Sequence, residues 1–434
     1  MPRVLIAGGG IGGLVTALTM HQIGVPCTVF ETVRELRPKG VGLNLQPNAV
    51  RELYDLGVAG ASLNSVGVPL QEWSLVARNG QVIVSEPRGL VAGYRWPQFS
   101  VDRGLLHMLL YHLVVRRMGA ETVVLGARAR GYRQSGRQVT LLLDDGREET
   151  GDVLIGADGI HSAIRAQMYP DQPPPNWGGA VLWRGVTRAK PLRGRSTFIG
   201  TGAGDKRVAV FPISHLGSDG LARINWIGGL RIEDHAARRH GSWFNPVDAA
   251  SFTPLFEDWA LDWIDVPTLM RGADAVYENP LLDRDPIPTW RDGRVVLLGD
   301  AAHPMLPAGS NGASQAIIDA RVLGAAMVER GVTARALHHY DDQLCGPVSA
   351  LVMRNRDEGP FELLRIVEAR GGSDFDSIDA VIPQAERDEF MARYKIASGF
   401  AREVLNASPP LIAPGAQVAP RVTRGRPPPP LVAQ

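Results

Sequence analysis

The sequence predicts an α/β protein in which a Rossmann-like domain is interrupted by an inserted, mainly antiparallel β-sheet domain and followed by C-terminal helices. Three observations predict this arrangement. Residues 4–31 read as a strand, a glycine turn, a helix and a second strand. Residues 179–229 contain short β-rich segments separated by glycines, which is typical of an antiparallel sheet. An apolar strand returns at 293–298 and precedes a helical segment at 311–330, so the first domain resumes after the insertion.

Hydrophobic periodicity and turn residues predict the other elements. Residues 48–57 and 103–118 read as helices, because their apolar residues recur at helical spacing. Residues 70–85 alternate around Asn79-Gly80, which is a hairpin signal. Residues 246–272 are rich in tryptophan and are predicted to be helical.

The predicted domain boundaries are discontinuous in sequence. The first domain takes residues 1–68, 101–175 and 275–370, the sheet domain takes 69–100 and 176–274, a C-terminal helical region takes 371–405, and a proline-rich tail takes 406–434. The tail is expected to form no packed structure, because its composition favours extended, solvated chain.

Composition limits the functional classes. The 46 lysines and arginines nearly balance the 45 aspartates and glutamates, which gives no reason to expect nucleic acid or a membrane surface as a partner. Cys27 and Cys345 form no CxxC pair, so no metal site is expected, and two free thiols fit a reducing cytoplasm. No apolar stretch reaches the roughly 18 residues that a membrane span requires, so no span is expected.

The first chemical motif is the glycine sequence GGGIGG between the first strand and the first helix. Gly8 permits the tight turn, Gly10 lets the backbone approach a pyrophosphate, and Gly13 allows the helix to pack closely on the strand. Gly12 belongs to the same turn. Glu31, at the end of the next strand, is placed to accept the hydroxyls of an adenosine ribose and would repel a ribose 2′-phosphate. The motif therefore predicts a site for FAD or NAD rather than NADP.

Two further motifs restrict the cofactor to FAD. A buried strand ends on Asp300, which can bind a ribityl hydroxyl that NAD does not possess. The loop at 307–312 leads into a helix whose N-terminus would stabilise negative charge on a reduced flavin ring. The turn at Asp158-Gly159 is a weak signal by itself and gains weight from occurring with the other two. His303, beside a proline, is expected to shape the loop rather than to transfer protons.

These three motifs, in this order, resemble those of the class A flavoprotein aromatic monooxygenases, the p-hydroxybenzoate hydroxylase-like family, over roughly residues 3–370. Within the family the chain is similar to the phenazine-carboxylate hydroxylase (5-methylphenazine-1-carboxylate 1-monooxygenase) type. The stretches that carry this likeness are Gly40–Pro47, Ser85–Gly89, Asp158–Ser162, Trp183–Val186 and Asn311–Ala316. The resemblance implies tightly but non-covalently bound FAD, transient NADH or NADPH, and transfer of oxygen from O2 through a C4a-hydroperoxyflavin. A second GxGxxG motif is missing from the sequence, which agrees with transient binding of the nicotinamide.

The resemblance also implies further cofactor contacts. The residues that match such contacts in the family are Arg103 (pyrophosphate and ribityl region), Leu125 (adenine, through its backbone), Asp158 and Gly159 (a fingerprint shared between FAD and NAD(P)H), Asp300, Gly312 and Ala313 (ribityl chain and ring), and Pro307 (reacting side of the ring).

The substrate is expected to lie between the inserted sheet and the flavin ring. The candidates for its pocket are Leu45, Trp183, Phe211, Trp226 and Pro307. Strand alternation places Trp183 and Arg184 on opposite faces, and Trp183 is the preferred candidate to stack on a planar substrate. Arg184 is expected to point away from the pocket and is not assigned. The alternative for each aromatic residue is a place in the core of the sheet.

The sequence thus predicts an FAD-dependent monooxygenase that uses NAD(P)H and O2 to hydroxylate a small aromatic or heteroaromatic substrate, such as a phenazine-like compound or an aromatic carboxylate of secondary metabolism. The alternatives are a flavin oxidase or dehydrogenase, an N-oxidising, epoxidising or Baeyer–Villiger enzyme, and a nucleotide-binding protein without catalysis. The WxWxIP motif of flavin halogenases is missing. No catalytic residue is assigned, and the choices between NADH and NADPH and between monomer and homodimer stay open.

Overall fold

Two large sheets, one mainly parallel and one mainly antiparallel, form the framework of the computed structural model. The structure describes residues 2–38, 40–194, 196–232, 245–357, 359–372, 375–399 and 401–419. Within these ranges the strands are β1 (Val4–Ala7), β2 (Cys27–Glu31), β3 (Gly42–Leu45), β4 (Gly67–Leu70), β5 (Glu72–Val76), β6 (Val82–Pro87), β7 (Gln98–Asp102), β8 (Val123–Leu125), β9 (Ala129–Ser135), β10 (Gln138–Leu143), β11 (Glu148–Gly151), β12 (Val153–Gly156), β13 (Asn176–Ala189), β14 (Thr197–Ala203), β15 (Lys206–Pro212), β16 (Ala222–Arg231), β17 (Asn245–Val247), β18 (Ala260–Leu261), β19 (Ile264–Asp265), β20 (Ala273–Asp283), β21 (Arg291–Asp292) and β22 (Val295–Leu297).

Helices cover the first sheet and form the C-terminal region. The α-helices are α1 (Ile11–Gln22), α2 (Pro47–Asp55), α3 (Ala61–Asn64), α4 (Arg103–Met118), α5 (Ala163–Met168), α6 (Val266–Arg271), α7 (Gly312–Arg330), α8 (Ala334–Asn355), α9 (Glu362–Gly371), α10 (Ile378–Val381), α11 (Gln384–Ala397) and α12 (Arg402–Ala407). Short 3-10 helices lie at Gly89–Ala92, Ala120–Thr122, Ala249–Ser251, Thr253–Trp259, Gly299–Ala301, Pro307–Gly309 and Gly359–Phe361.

The first sheet has six strands in the order β21-β22-β12-β1-β2-β8, and all neighbours are parallel except the β21–β22 pair. Its central strands are buried on both faces, which explains their continuous apolar runs. Because β1, β12 and β22 are parallel, their carboxyl ends meet at one edge. The three predicted turns follow these strands and are therefore brought together.

The second sheet has eight strands in the order β17-β20-β13-β16-β15-β14-β5-β6, and it is antiparallel except for the pair β14–β5. One face packs on the 3-10 helices and α6 within residues 249–271. The other face turns towards the edge of the first sheet where the three turns meet. This arrangement confirms the predicted fold class, whereas the domain boundaries stay a prediction.

Two predictions about local structure were wrong. Residues 246–272 form the end of β17, short 3-10 helices, the β18–β19 pair and the single α-helix α6. Pro254 and Pro267 lie in the first turns of short helices, where proline favours a helix start and excludes a helix running through. The tail was expected to be unpacked, yet Ile412 is buried in the core of the first domain and the Val418 amide donates to the Ile23 carbonyl at 3.0 Å. Proline permits such packing of extended chain. Residues 420–434 lie outside the described residues.

Neither a membrane-spanning helix nor a metal-ligand cluster occurs among the described residues. None of their helices is both long and apolar enough to cross a membrane. None of their His, Cys, Asp and Glu side chains form a group of three or more that could hold a metal ion.

Candidate functional site

A cavity of about 480 Å³ lies between the carboxyl edge of the first sheet and the inner face of the eight-stranded sheet. The three turns form one wall, and the sheet forms the opposite wall. The predicted site residues that line it are Gly10, Gly12, Arg103, Gly159, Phe211, Asp300, Pro307, Gly312 and Ala313. The structure thus brings together residues that are up to 303 positions apart, from Gly10 to Ala313.

The glycine turn combines two tight approaches with one open position. Gly8 has a φ of +105°, and a Cβ there would lie 2.2 Å from the carbonyl oxygen of Ala157. A Cβ on Gly13 would lie 2.0 Å from the Gly8 carbonyl oxygen. By contrast, no described atom lies within 4 Å of a Cβ built on Gly10, which lines the cavity. Gly8 and Gly13 therefore permit the turn, and Gly10 leaves space beside the N-terminus of α1.

Glu31 and Leu125 lie next to each other just outside the cavity lining. They are register partners at the carboxyl ends of β2 and β8. The Glu31 carboxylate accepts the Gly9 amide at 2.7 Å and the Val33 amide at 2.9 Å. These two bonds fix the carboxylate beside the glycine turn and leave further lone pairs for a ribose hydroxyl.

His107 is a neighbour of the glycine turn that sequence reasoning missed. Its Nε2 lies 2.6 Å from the Gly9 carbonyl oxygen. Burial lowers the pKa of His107, so the ring is neutral at physiological pH and must carry its proton on Nε2 to donate to that carbonyl. The available signal was its position four residues after Arg103, which places both side chains on one face of α4.

Arg103 and Asp300 are opposite charges that both face the cavity. Asp300 has protein on all sides, and its exposed surface faces the cavity rather than the outside of the molecule. Burial raises the pKa of Asp300, while His303 and Arg103 act in the opposite direction. Burial lowers the pKa of Arg103, and Asp300 opposes that change. An arginine and a carboxylate open to the same space suit a ligand that carries both phosphate and hydroxyl groups.

His303 lies behind the cavity wall and does not line it. Its Nε2 is 2.6 Å from Oδ2 of Asp319, which also accepts the Gly299 amide at 3.0 Å. Burial opposes the charge on His303, but Asp319 more than compensates, so the pKa of His303 is raised. The histidine thus holds the Gly299–Ala301 turn against α7.

The loop before α7 forms the floor of the cavity. Pro307, Gly312 and Ala313 line the cavity, and Ser310 adopts a φ of 53°. The Tyr394 hydroxyl donates to the Gly309 carbonyl at 2.9 Å. This contact ties the loop to the C-terminal helix α11, a connection that no feature of the sequence indicated.

Asp158 is directed away from the cavity. Its carboxylate accepts the Ser162 hydroxyl at 2.5 Å and the Ala163 amide at 2.8 Å, so it caps the short helix α5. Only its neighbour Gly159 lines the cavity. Asp158 therefore shapes the turn, and any cofactor contact of this motif belongs to Gly159 and to the backbone.

The prediction for Trp183 was wrong, because the two faces of β13 are reversed relative to the expectation. Trp183 lies on the outer face, stacked on Phe252 with ring centroids 4.9 Å apart, and its Nε1 donates to Glu278 Oε2 at 3.0 Å. Leu182 and Arg184 are the residues of this strand that line the cavity.

The predictions for Trp226 and Leu45 were wrong as well. Trp226 lies on the same outer face as Trp183, and its ring covers Gly185, where a Cβ would lie 2.3 Å from Cζ2 of the indole. Leu45 is fully buried in the core of the first domain, whereas Leu43 of the same strand lines the cavity. Phe211 does face the cavity and stacks on Phe198 with a centroid distance of 5.1 Å.

Arg184 is the most informative residue that sequence reasoning left out. Its Nη2 donates to the Gly42 carbonyl at 2.9 Å, and its buried Nε has no partner among the described residues. The alternation of half-buried Leu182, Arg184 and Val186 with buried Val181, Trp183 and Gly185 marks the face that opens on the cavity.

The geometry fits FAD in its two halves. The open space at Gly10 beside the N-terminus of α1 suits a pyrophosphate, and Glu31 lies next to that turn on the side of a ribose. Asp300 and Arg103 lie further along the cavity, and the N-terminus of α7 borders its floor. When bound, the flavin supplies redox and oxygen-transfer chemistry, and the chain supplies orientation and enclosure.

Comparison with known proteins agrees with this geometry. The model of the FAD binding domain family matches residues 1–200 and 284–356. The phenazine 1,6-dicarboxylic acid hydroxylase PhzS of Lysobacter antibioticus is 37% identical over 368 residues, covering 83% of this chain and 90% of the relative. The 3-amino-4-hydroxybenzoate 2-monooxygenase PtnB3 of Streptomyces platensis is 33% identical over 375 residues, covering 82% of this chain and 88% of the relative.

Solved structures show the same fold. HpxO of Klebsiella pneumoniae, in complex with FAD and uric acid, superposes with a TM-score of 0.70 at 24% identity, covering 93% of this chain and 95% of the other. The extensive match to the family model and the identity to PhzS place the chain with FAD-dependent hydroxylases. The protein is therefore an FAD-dependent monooxygenase that belongs to the FAD-binding family of class A flavoprotein aromatic hydroxylases.

Proposed function

We propose that this monooxygenase uses NADH or NADPH and O2 to hydroxylate a planar, acidic aromatic or heteroaromatic compound, of the size of a phenazine carboxylate or a substituted benzoate. The observation that carries this proposal is the sheet face opposite Pro307. It carries the small residues Ala209 and Gly229, is bordered by the stacked Phe198 and Phe211, and lines the same cavity as the predicted flavin contacts.

The shape of the two walls supports a planar substrate. Small residues on the sheet leave room for a ring system, and aromatic side chains favour offset or edge contacts with it. Pro307 and the start of α7 border the same space from the other side. An aromatic ring held between these walls would present one face to the flavin and would be shielded from bulk water, which limits side reactions.

The relatives support the chemical class. PhzS is described as acting on phenazine 1,6-dicarboxylic acid and PtnB3 on 3-amino-4-hydroxybenzoate, which are both aromatic acids. Their substrates share a ring and a carboxyl group but differ in ring size. We therefore propose the class and leave the individual compound to experiment.

In this proposal the chain positions FAD and carries out no covalent step with its own side chains. Gly10, Gly12 and the α1 N-terminus would bind the pyrophosphate, Glu31 would bind the ribose, and Arg103 and Asp300 would bind the ribityl region. The N-terminus of α7 at Gly312-Ala313 would favour negative charge on the flavin ring.

The test is a panel of aromatic acids and neutral rings incubated with the FAD-loaded enzyme. Oxidation of NADH and of NADPH, H2O2 release and product mass are measured for each compound. We expect at least one aromatic acid to accelerate nicotinamide oxidation and to gain one oxygen atom. If every compound yields only H2O2, the proposed substrate class is wrong. Dehydrogenation of a compound without any nicotinamide, and without gain of an oxygen atom, would indicate an oxidase or dehydrogenase instead.

A further inference from the structure

We propose that Arg184 recognises the acidic group of the substrate and so selects anionic aromatic compounds over neutral ones. This inference rests on the proposed function, because it names the residue that would discriminate within the proposed substrate class. It is drawn from the position of Arg184 on the sheet wall, from its hydrogen bonds and from its electrostatic surroundings.

Arg184 lies in the middle of the sheet wall, and its register neighbours on β16 and β15 are apolar. In the register of the sheet, Arg184 pairs with Ile227 of β16, which in turn pairs with Ala209 of β15. All three line the cavity, and Phe211 borders it one row further along. A planar ring lying on Ile227 and Ala209 would bring a substituent at its edge to the guanidinium.

The guanidinium is oriented and incompletely bonded. Its Nη2 donates to the Gly42 carbonyl at 2.9 Å, and Gly42 is itself fixed, because its amide donates to Asn225 Oδ1 at 2.6 Å. The remaining N–H groups include the buried Nε, which has no partner among the described residues. A planar donor group held on one side and open on the other suits a carboxylate or another oxyanion.

Charge balance points the same way. In the described part of the chain, no Asp or Glu side chain forms an ion pair with Arg184. Burial, and to a smaller extent the neighbouring charge of Arg103, lower the pKa of Arg184 to about 10, so the side chain stays protonated at neutral pH. A half-buried cation without a counter-ion is partly desolvated, and a bound anion would offset that cost.

The other arginines that line the cavity, Arg231 included, have interaction partners of their own. Arg356 is bound to Asp283 at 2.6 Å and to Asp285 at 2.8 Å. Arg103 faces Asp300. Arg207, on β15, donates to the carbonyls of Gly204 and Lys206. Arg184 differs from them in its place beside Ile227 and Ala209, and it is therefore the cation on this wall that we assign to an incoming acid.

The experiment compares two probes that share a ring system and differ in charge, phenazine-1-carboxylate and phenazine-1-carboxamide. Their dissociation constants for the oxidised, FAD-loaded enzyme are measured from changes in flavin absorbance, for the wild type and for Arg184→Met and Arg184→Lys. Arg188→Met is the matched control, because Arg188 lies on the same strand, is exposed and pairs with Asp219 outside the cavity. The FAD content and FAD affinity of each variant are measured in parallel.

We expect the wild type and Arg188→Met to prefer the carboxylate by about 10- to 100-fold, as a charge-assisted hydrogen-bonded pair would give. Arg184→Met should bind both probes with nearly equal affinity, and Arg184→Lys should recover part of the preference. FAD affinity should be unchanged in all of these variants.

Three outcomes would overturn the inference. The wild type could show no preference for the acid, the preference could survive in Arg184→Met, or Arg184→Met could lose FAD, which would make Arg184 a flavin contact instead. Because binding is measured without turnover, these outcomes are separate from failure of the proposed function, which would appear as the absence of an oxygenated product. If neither probe binds to the wild type, both proposals fail for this ring class.

Discussion

Two glycines of the same turn experience opposite surroundings, so one substitution separates their roles. A methyl group on Gly13 would meet the backbone oxygen of Gly8, which cannot rotate away. A methyl group on Gly10 would meet only the space that we assign to the cofactor, and its φ of −71° suits alanine. The requirement for glycine is therefore steric within the protein at Gly13 and steric towards the ligand at Gly10.

We expect Gly10→Ala to fold normally and to bind FAD about 10-fold or more weakly, because the added methyl group would occupy the space assigned to the cofactor. A tenfold loss corresponds to about 1.4 kcal/mol. Gly13→Ala should destabilise the apoprotein by about 1–3 kcal/mol or more, as overpacking does. Thermal unfolding of the apoproteins and FAD titration measure both effects. An apoprotein of Gly10→Ala as unstable as that of Gly13→Ala would contradict this assignment.

The pair His303–Asp319 predicts a pH dependence of stability. The raised pKa of His303 means that the folded state binds the proton more tightly than the unfolded state. The resulting stabilisation is fully present below the unfolded pKa of about 6.5 and is lost as the pH rises through the folded value.

Asp319→Asn should flatten this dependence, whereas His215→Gln at an exposed position should keep the wild-type slope. Urea unfolding of each protein between about pH 5 and pH 9 provides the measurement. Parallel slopes for Asp319→Asn and the wild type would show that the pair is not linked to stability.

At the level of single residues, the sequence predicted which residues of the turns line the cavity. It failed to predict which face of the inserted sheet is turned to the cavity. Gly10, Asp300 and Gly312 line the cavity because each lies in a turn after a parallel strand or at the start of a helix, and their cofactor contacts stay predictions. Alternation separated Trp183 from Arg184 but did not indicate which side was the cavity, because both faces of the sheet are covered. The choice of the tryptophan rested on its stacking ability, yet its partner is Phe252 in a second core.

Among the elements, α11 contacts the loop at the floor of the cavity although it lies far from that loop in sequence. Tyr394 supports the Pro307–Gly309 turn through one hydrogen bond. Tyr394→Phe should leave the buried Gly309 carbonyl with less support, at a cost of about 1–3 kcal/mol. The loosened turn should raise the share of NAD(P)H that ends as H2O2.

The ratio of H2O2 to oxygenated product checks this expectation, with Tyr111→Phe as the control, since Tyr111 is on α4 and away from the turn. A ratio equal to the wild type for Tyr394→Phe would show that the turn keeps its position without α11.

The docked segment after α12 behaves as a further element of the first domain. Ile412 exposes only 2% of its surface, whereas Val404 of α12 exposes 68%. Ile412→Ala should therefore destabilise the protein by about 2–5 kcal/mol, and Val404→Ala should have almost no effect. Urea unfolding of the two FAD-loaded variants distinguishes them, and similar small losses would contradict the docking of this segment.

For the whole molecule, the cavity crosses from one sheet to the other, so cofactor binding should stabilise the whole protein. At a free FAD concentration of 100 times Kd, the free energy of unfolding should rise by about 2.7 kcal/mol. FMN lacks the adenosine half, which Gly10 and Glu31 are proposed to bind, and should stabilise the protein far less at the same concentration. Equal stabilisation by FMN would exclude a role for the glycine turn in cofactor binding.

The architecture of the whole chain was largely predictable, since glycine turns after apolar strands identified the first domain and short alternating segments identified the sheet. What could not be predicted was the set of contacts between distant segments. Tyr394 reaches Gly309 across 85 positions, and Val418 pairs with Ile23 from the opposite end of the chain. Such contacts arise from packing and have no local sequence pattern.

The pairing of β14 with β5 bears on how the protein folds. Thr197 lies opposite Glu72 in this parallel pair, and Val295 of β22 lies opposite Leu154 of β12. Neither sheet can be completed until a segment more than a hundred residues later has been synthesised, and pairings of such high contact order form slowly. Both sheets therefore have open edges during synthesis, and such edges are prone to aggregate until the later strands pair with them.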